Sequence, residues 1–293
     1  MPQAQPSLSL MTPATPMPCS CYARPSARRG FLQALLATGA VAAAGPALAQ
    51  VEVGKASVMR NLVPAETLEK AAEQQYATML QEANQQGALA KPGNPQLQRL
   101  QAIAQRLIPQ AMAWNPRAKE WKWEVNLIGS KQVNAFCMPG GKIVFYTGLI
   151  DQLKLTDDEI AMVMGHEMAH ALREHSREQL AKTQATGIGI RLGAALFGLG
   201  DLGTAAANLG GQLLTLKFSR SDESDADLVG LELAARAGYN PQAAVSLWQK
   251  MGEATGGSGI GFLSTHPTGP DRIAKLQDNV PKVSGLYEQA RRR

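Results

Sequence analysis

The sequence predicts an α+β fold that is mainly helical, with a small antiparallel sheet ahead of its central helix. Two patterns predict it. Apolar residues recur at helical spacing in long stretches beginning near Glu66, Pro95, Asp157 and Leu213. Between the second and third of these, short runs alternate apolar and polar residues with a period of two. A length of 293 residues with 45% apolar residues suits one large domain or two small ones.

The elements follow in order. Glu66 to Gln86 carries Leu68, Ala72, Tyr76, Met79, Leu80 and Ala83 on one stripe. Gly87 to Pro95 is rich in proline and glycine and reads as a loop. Pro95 to Met112 is a second helix with Leu97, Leu100, Ile103, Ala104, Leu107 and Ile108 inward. Trp121 to Ile128 alternates as a strand, and Val133 to Met138 and Lys142 to Thr147 make two more. Pro139, Gly140 and Gly141 join the last two as a tight hairpin. The edge at Asn134, Ala135 and Phe136 either accepts an extended peptide as a further strand or is capped by a loop. Cys137 reads as a small buried hydrophobe.

The next helix carries the chemistry. Thr156 is placed as its N-cap, with Glu159 three residues on closing a capping box. His166, Glu167 and His170 form H-E-x-x-H. On a helix the two histidines sit one turn apart, so both imidazoles reach a single Zn²⁺ at roughly 2.0–2.1 Å. Glu167 lies about 100° round from His166, near the metal but off the ligand axis. That suits a general base acting on a water. The helix is expected to run on to Lys182. His175 then lies about 140° past His170 and points to the surface. Arg173 and Ser176 replace the glycine and last histidine of the elongated three-histidine signature.

A two-histidine site lacks a third ligand. Leu213 to Ala237 is helical by pattern and carries Glu223 and Asp227 one turn apart. Glu223 fits as the third ligand, and Asp227 as the acceptor that holds a ligand histidine by its other ring nitrogen. A solvated acidic face is the plainer reading of this stretch alone. Thr186 to Gly211 is rich in Gly, Ala and Leu and reads as a buried or hairpin-like helical insertion. A membrane-touching role is the alternative, since Arg191 and Asp201 leave no run long enough to span.

Residues 1 to 49 read as an export signal. Arg28 and Arg29 precede an apolar run from Phe31 to Ala44, and Ala47-x-Ala49 is a small-residue cleavage site. The arginine pair resembles the twin-arginine signal, although Ala27 stands where Ser or Thr is usual, which leaves the general secretory route open. A single domain would then span 50–293, located in the periplasm, with or without membrane association. Cys19 and Cys21 would be lost with the leader, leaving Cys137 alone. The formal charge of +5 loses Arg24, Arg28 and Arg29 and falls to +2, which gives no argument for nucleic acid as a partner. Nothing in the sequence sets the oligomeric state.

Four stretches taken together resemble a known family. They are Asn134-Ala135-Phe136 with Pro139-Gly140-Gly141, and His166-Glu167-x-x-His170. Ser219-Arg220 leading to Glu223-x-x-Ala226-Asp227 and Ala237-Gly238-Tyr239-Asn240-Pro241 is the third, and Thr265-His266-Pro267 with Arg272-Ile273 the fourth. In this order they resemble the gluzincin metallopeptidases of the CAAX prenyl protease and HtpX group, above all the exported members of bacterial envelope quality control. The resemblance implies a zincin-like catalytic domain with one zinc held by His166, His170 and Glu223. It implies Glu167 as catalytic base and unfolded or misfolded polypeptides as substrates. His266 is then an inhibitory fourth ligand, an oxyanion donor, or a histidine that only packs beside Pro267. Arg272 pairs with Glu223, Asp227 or the substrate, or caps local structure. Integral members carry spanning helices that this sequence does not show after its leader. A binder of unfolded proteins with little or latent peptidase activity is the rival reading, because binding and cutting would use the same edge.

Overall fold

Three of the long helices begin where side chains close the first turn. The computed structural model describes residues 51–185, 212–254, 261–266 and 271–292. Helix α1 spans Ala65–Gln85 and α2 spans Pro95–Leu107. Asn94 Oδ1 accepts from the backbone N–H groups of Gln96 at 2.9 Å and Leu97 at 3.1 Å, and Pro95 presets the first turn. The chain then tightens into a 3-10 turn over Ile108–Ala113, so α2 stops before Met112. Pro109 explains this, because it cannot donate the next helical hydrogen bond.

The sheet has three strands: β1 (Glu124–Ile128), β2 (Ala135–Met138) and β3 (Lys142–Tyr146). β2 and β3 form the expected antiparallel hairpin, with Gly140 and Gly141 at φ 85° and 79°. β1, however, pairs with β3 in parallel, in register Glu124↔Lys142 to Ile128↔Tyr146. The sheet is therefore mixed, with order β1-β3-β2, rather than antiparallel throughout. Alternation marks a strand but not the direction of its partner. The two faces separate cleanly. Leu127, Ala135, Cys137, Ile143 and Phe145 face the main core, while Ile128, Met138 and Val144 pack toward α1. The order leaves β2 at an edge, beside the central helix.

Helix α3 (Thr147–Gln152) leads into α4 (Asp157–Leu172). The capping box of Thr156 and Glu159 is present, and Asp157, Asp158 and Glu159 place negative charge at the positive end of the helix dipole. Every residue from Glu159 to Leu172 is buried, so this is a central helix enclosed on all sides. It does not continue to Lys182. Glu174 adopts a left-handed φ of 60°, and α5 starts afresh at His175 and runs to Ala185. That conformation costs a non-glycine residue about 1–2 kcal/mol. Three local bonds offset it: Asn115 Nδ2 donates to Leu172 O at 3.0 Å, Arg60 meets the Glu174 carboxylate at 3.1 Å, and Arg177 pairs with it as well.

Helix α6 (Arg220–Arg236) starts at a second capping box, in which Ser219 Oγ accepts from Asp222 N–H and the Asp222 carboxylate accepts from Ser219 N–H. It begins at Arg220 rather than Leu213. α4 and α6 pack with their backbones in contact at Gly165 and Gly230. A Cβ at Gly165 would lie 2.8 Å from Gly230 O, and one at Gly230 would lie 2.6 Å from His166 N. Only glycine fits at either position. Helix α7 (Ala243–Ala254), the short α8 (Gly261–Thr265) and α9 (Asp271–Arg291) complete the described chain, with α9 packed on α6 and α7. Among the described residues no helix is long and apolar enough to cross a membrane. The leader (1–49), the Gly/Ala-rich insertion (186–211) and Pro267 lie outside the described residues.

Candidate metal centre

The capping box of α4 fixes where its turns fall, and so which residues share a face. His166 and His170 sit one turn apart with their Nε2 atoms 3.1 Å from each other. The glycine contact brings α6 close enough for Glu223 to reach both. Its Oε2 lies 3.5 Å from His166 Nε2 and its Oε1 lies 3.4 Å from His170 Nε2. His266, at the end of α8, adds a fourth donor. Its Nδ1 is 3.0 Å from Glu223 Oε1 and 3.3 Å from His166 Nε2. All four residues are buried, and one donor atom from each falls within 4.8 Å of every other.

These separations are those of atoms gathered around a common centre. Four donors at roughly 2.0–2.1 Å from a tetrahedral Zn²⁺ lie about 3.3–3.4 Å apart. Three imidazoles and a carboxylate, all buried, turn donor atoms toward one another here, and that convergence of four metal-ligating groups suits a cation. Glu223 Oε2 points the same way. It is buried, makes no hydrogen bond and meets only the charge of Arg272 Nη2 at 2.9 Å and the His166 ring. The residues present fit zinc.

The surroundings hold the donors in place. Asp227 Oδ1 lies 3.1 Å from His166 Nδ1, on the side of the ring away from Glu223. Arg272 Nη2 donates to Asp227 Oδ1 at 2.8 Å, and its guanidinium lies 3.4 Å over the Trp248 ring. Phe218 stacks on His170 at 4.0 Å, and Phe262 stacks on His266 at 4.5 Å. His175 is a correction to the sequence reading. It is only 3% exposed, and its Nδ1 lies 3.0 Å from His170 Nδ1. The helical count that sent it to the surface fails because α4 ends at Leu172.

The electrostatics follow from burial and charge. Burial opposes protonation of His166, but Asp227 and Glu223 outweigh it and raise its pKa to about 9. Burial, with the neighbouring His166 and His175, lowers that of His170 well below the usual imidazole value, against the pull of Glu223. Burial would raise the pKa of Glu223 and Asp227. The histidines around Glu223 and the Arg272 charge beside Asp227 instead hold both low. Glu167 is different. Burial raises its pKa, against the charges of His266 and His166, and its Oε1 has no hydrogen-bond partner. His266 Nε2 stands 3.6 Å from it. Burial also raises the Cys137 thiol well above its ordinary pKa, as suits a packed rather than a reactive cysteine.

A cleft of about 800 Å³, counted to its open mouth, runs beside these groups. Asn134, Phe136, Glu167, His170, Phe218 and His266 are among its walls. Ala135 also borders it but packs its side chain into the core, and Arg272 does not line it. One end of the β2 edge is covered. Phe262 N–H donates to Val133 O at 2.9 Å, so α8 sits where a further strand would begin.

Residues 95–280 match the profile of peptidase family M48. The chain belongs to peptidase family M48. This agrees with the resemblance to zinc metallopeptidases of gluzincin type, and zinc is the cofactor that both family and donor set call for. The M48 chain is 39% identical over 165 residues to the Mitochondrial metalloendopeptidase OMA1 of Schizosaccharomyces pombe, covering 55% of this chain and 48% of that one. It is 28% identical to the Metalloprotease LoiP of Escherichia coli, covering 68% and 77% respectively. It is 27% identical to the Beta-barrel assembly-enhancing protease of Yersinia pestis, covering 54% and 34%. The match spans about half the length or less of several of these relatives.

Proposed function

We propose that this M48 chain is a zinc-dependent endopeptidase that cleaves unfolded or misassembled proteins of the cell envelope. The observation that carries the reading is Glu167. It is a buried carboxylate with one oxygen unpartnered, beside four converging metal donors and at the wall of a cleft. His166, His170 and Glu223 are the ligands in this reading. When bound, Zn²⁺ supplies Lewis acidity toward a water and a carbonyl oxygen.

The chain's own residues do the rest. Glu167 takes the proton of the attacking water, its raised pKa suiting it to hold that proton, and then gives it to the leaving amine. Asp227 accepts from His166 Nδ1–H and fixes that ring, with Arg272 holding Asp227 in turn. Arg272 thus acts through its neighbours rather than on the substrate. Asn134, Ala135 and Phe136 hold the peptide extended along the β2 edge. His266 occupies the fourth donor position, which a catalytic site keeps open for water, so the described arrangement is latent. Substrate entry then requires α8 to leave both the donors and Val133.

The export-signal reading of 1–49 and the name of the Yersinia pestis relative support a periplasmic setting, with residues 50–293 as the catalytic domain. Unfolded polypeptides are the proposed partners. The test is zinc content and casein cleavage of wild type beside Glu167→Gln. Equal zinc with cleavage in wild type alone supports the peptidase. Cleavage retained by Glu167→Gln removes its base. Zinc without cleavage, even after His266→Ala, favours a binder of unfolded proteins.

A further inference from the structure

The two histidines that α4 sends to the metal are held from behind by unlike groups. His166 turns its Nδ1 to a carboxylate, Asp227, at 3.1 Å. His170 turns its Nδ1 to another imidazole, His175, at 3.0 Å. An imidazole that gives Nε2 to a metal carries its proton on Nδ1, and that proton needs an acceptor. We propose that His175 is a positioning residue whose bare Nδ1 accepts the Nδ1–H of His170 and aims His170 Nε2 at the metal. The inference rests on the reading of His166, His170 and Glu223 as ligands.

Three observations support it. His175 is buried, so water does not compete for His170 Nδ1. Phe218 stacks on the face of the His170 ring at 4.0 Å, and His175 meets its edge, so face and edge are both restrained. The backbone is also arranged for the contact. On an unbroken helix, residue 175 would lie about 140° from His170. Glu174 instead takes a left-handed φ of 60°, pinned by Arg60 at 3.1 Å and by Arg177, and this turns residue 175 back toward His170. A neutral acceptor differs chemically from Asp227. It holds the ring without placing a second negative charge behind the metal. His175 then carries its own proton on Nε2.

The test compares zinc affinity, by chelator competition, in full-length wild type, His175→Asn and His175→Leu. Thermal unfolding of each metal-free protein is measured alongside. The Asn amide oxygen can stand where Nδ1 stood, whereas Leu fills the space with no acceptor. Loss of such an outer partner weakens metal binding by about 10–100-fold. That loss is expected for His175→Leu, with most of the affinity recovered in His175→Asn even if both metal-free proteins melt alike. Wild-type affinity in His175→Leu, or equal weakness in both variants, would overturn the proposal. If His175→Leu does not fold, His175→Gln, whose acceptor sits farther out, takes its place under the same criterion. No substrate enters the assay. Failure of the separate casein test would therefore count against the peptidase reading and leave this one standing, and no zinc binding in wild type would overturn the ligand reading and this inference with it.

Discussion

The donors of this site come from two regions built in different ways. His166, His170 and Glu223 stand on α4 and α6, both started by capping boxes and locked together where Gly165 meets Gly230. His266 stands at the end of α8, a five-residue helix. Phe262 packing, the bond from Phe262 N–H to Val133 O and a long bond from Phe218 N–H to Thr265 O at 3.4 Å tie it down. The first region has no freedom to part without breaking the core. The second is a single short turn that can leave as a unit, at the cost of the Phe262 contacts with His166, Trp248 and His266 and a few hydrogen bonds. In the proposed reading, the difference divides one set of four donors into three that would hold a metal and one that could be withdrawn.

The largest expected effect leaves this division untouched. Glu167→Gln should lower kcat by about 10²–10⁴-fold, the usual contribution of a general base, with zinc content unchanged. A steady-state assay beside a metal analysis checks it. Gly230→Ala attacks the locked region. A methyl 2.6 Å from His166 N must push the helices apart. Overpacking of this kind costs about 1–3 kcal/mol, so both the melting temperature and zinc affinity should drop. A variant that melts and binds zinc like wild type would mean the crossing has slack. His266→Ala attacks the other region, and peptidase activity should rise while zinc stays bound. A loss of activity with zinc retained would instead make His266 a donor to the oxyanion.

The smallest effect is on pH. The raised pKa of Glu167 means that it stays protonated to a higher pH than an ordinary glutamate, whose value is 4.5. A base works only when deprotonated, so activity is lost as pH falls through that raised value. The acid limb of kcat/KM should therefore lie above the ordinary glutamate range in wild type and in His266→Ala.

The locked region was the more legible of the two in the sequence. H-E-x-x-H, Thr156 with Glu159, and Glu223 with Asp227 are local signals, each set by helical spacing alone. Their meeting depends on Gly165 and Gly230, which carry no pattern until two helices are placed together. His175 was misread because nothing in Arg173-Glu174 announces a break. There is no glycine or proline, and the left-handed turn at Glu174 is stabilised by Arg60, more than a hundred positions away in the chain. A signal did exist. The chain has four histidines, and His166, His170, His175 and His266 all lie in this one cluster. The parallel pairing of β1 with β3 and the aromatic frame of Phe218, Trp248 and Phe262 are likewise set by long-range packing, which periodicity does not record.

X-ray absorption at the zinc edge, on the zinc-loaded protein and on His266→Ala, tests the division most directly. Three imidazoles and one carboxylate around zinc in the wild type are expected, with two imidazoles, the carboxylate and a water in the variant. An unchanged shell in His266→Ala, or loss of its zinc, would contradict the account.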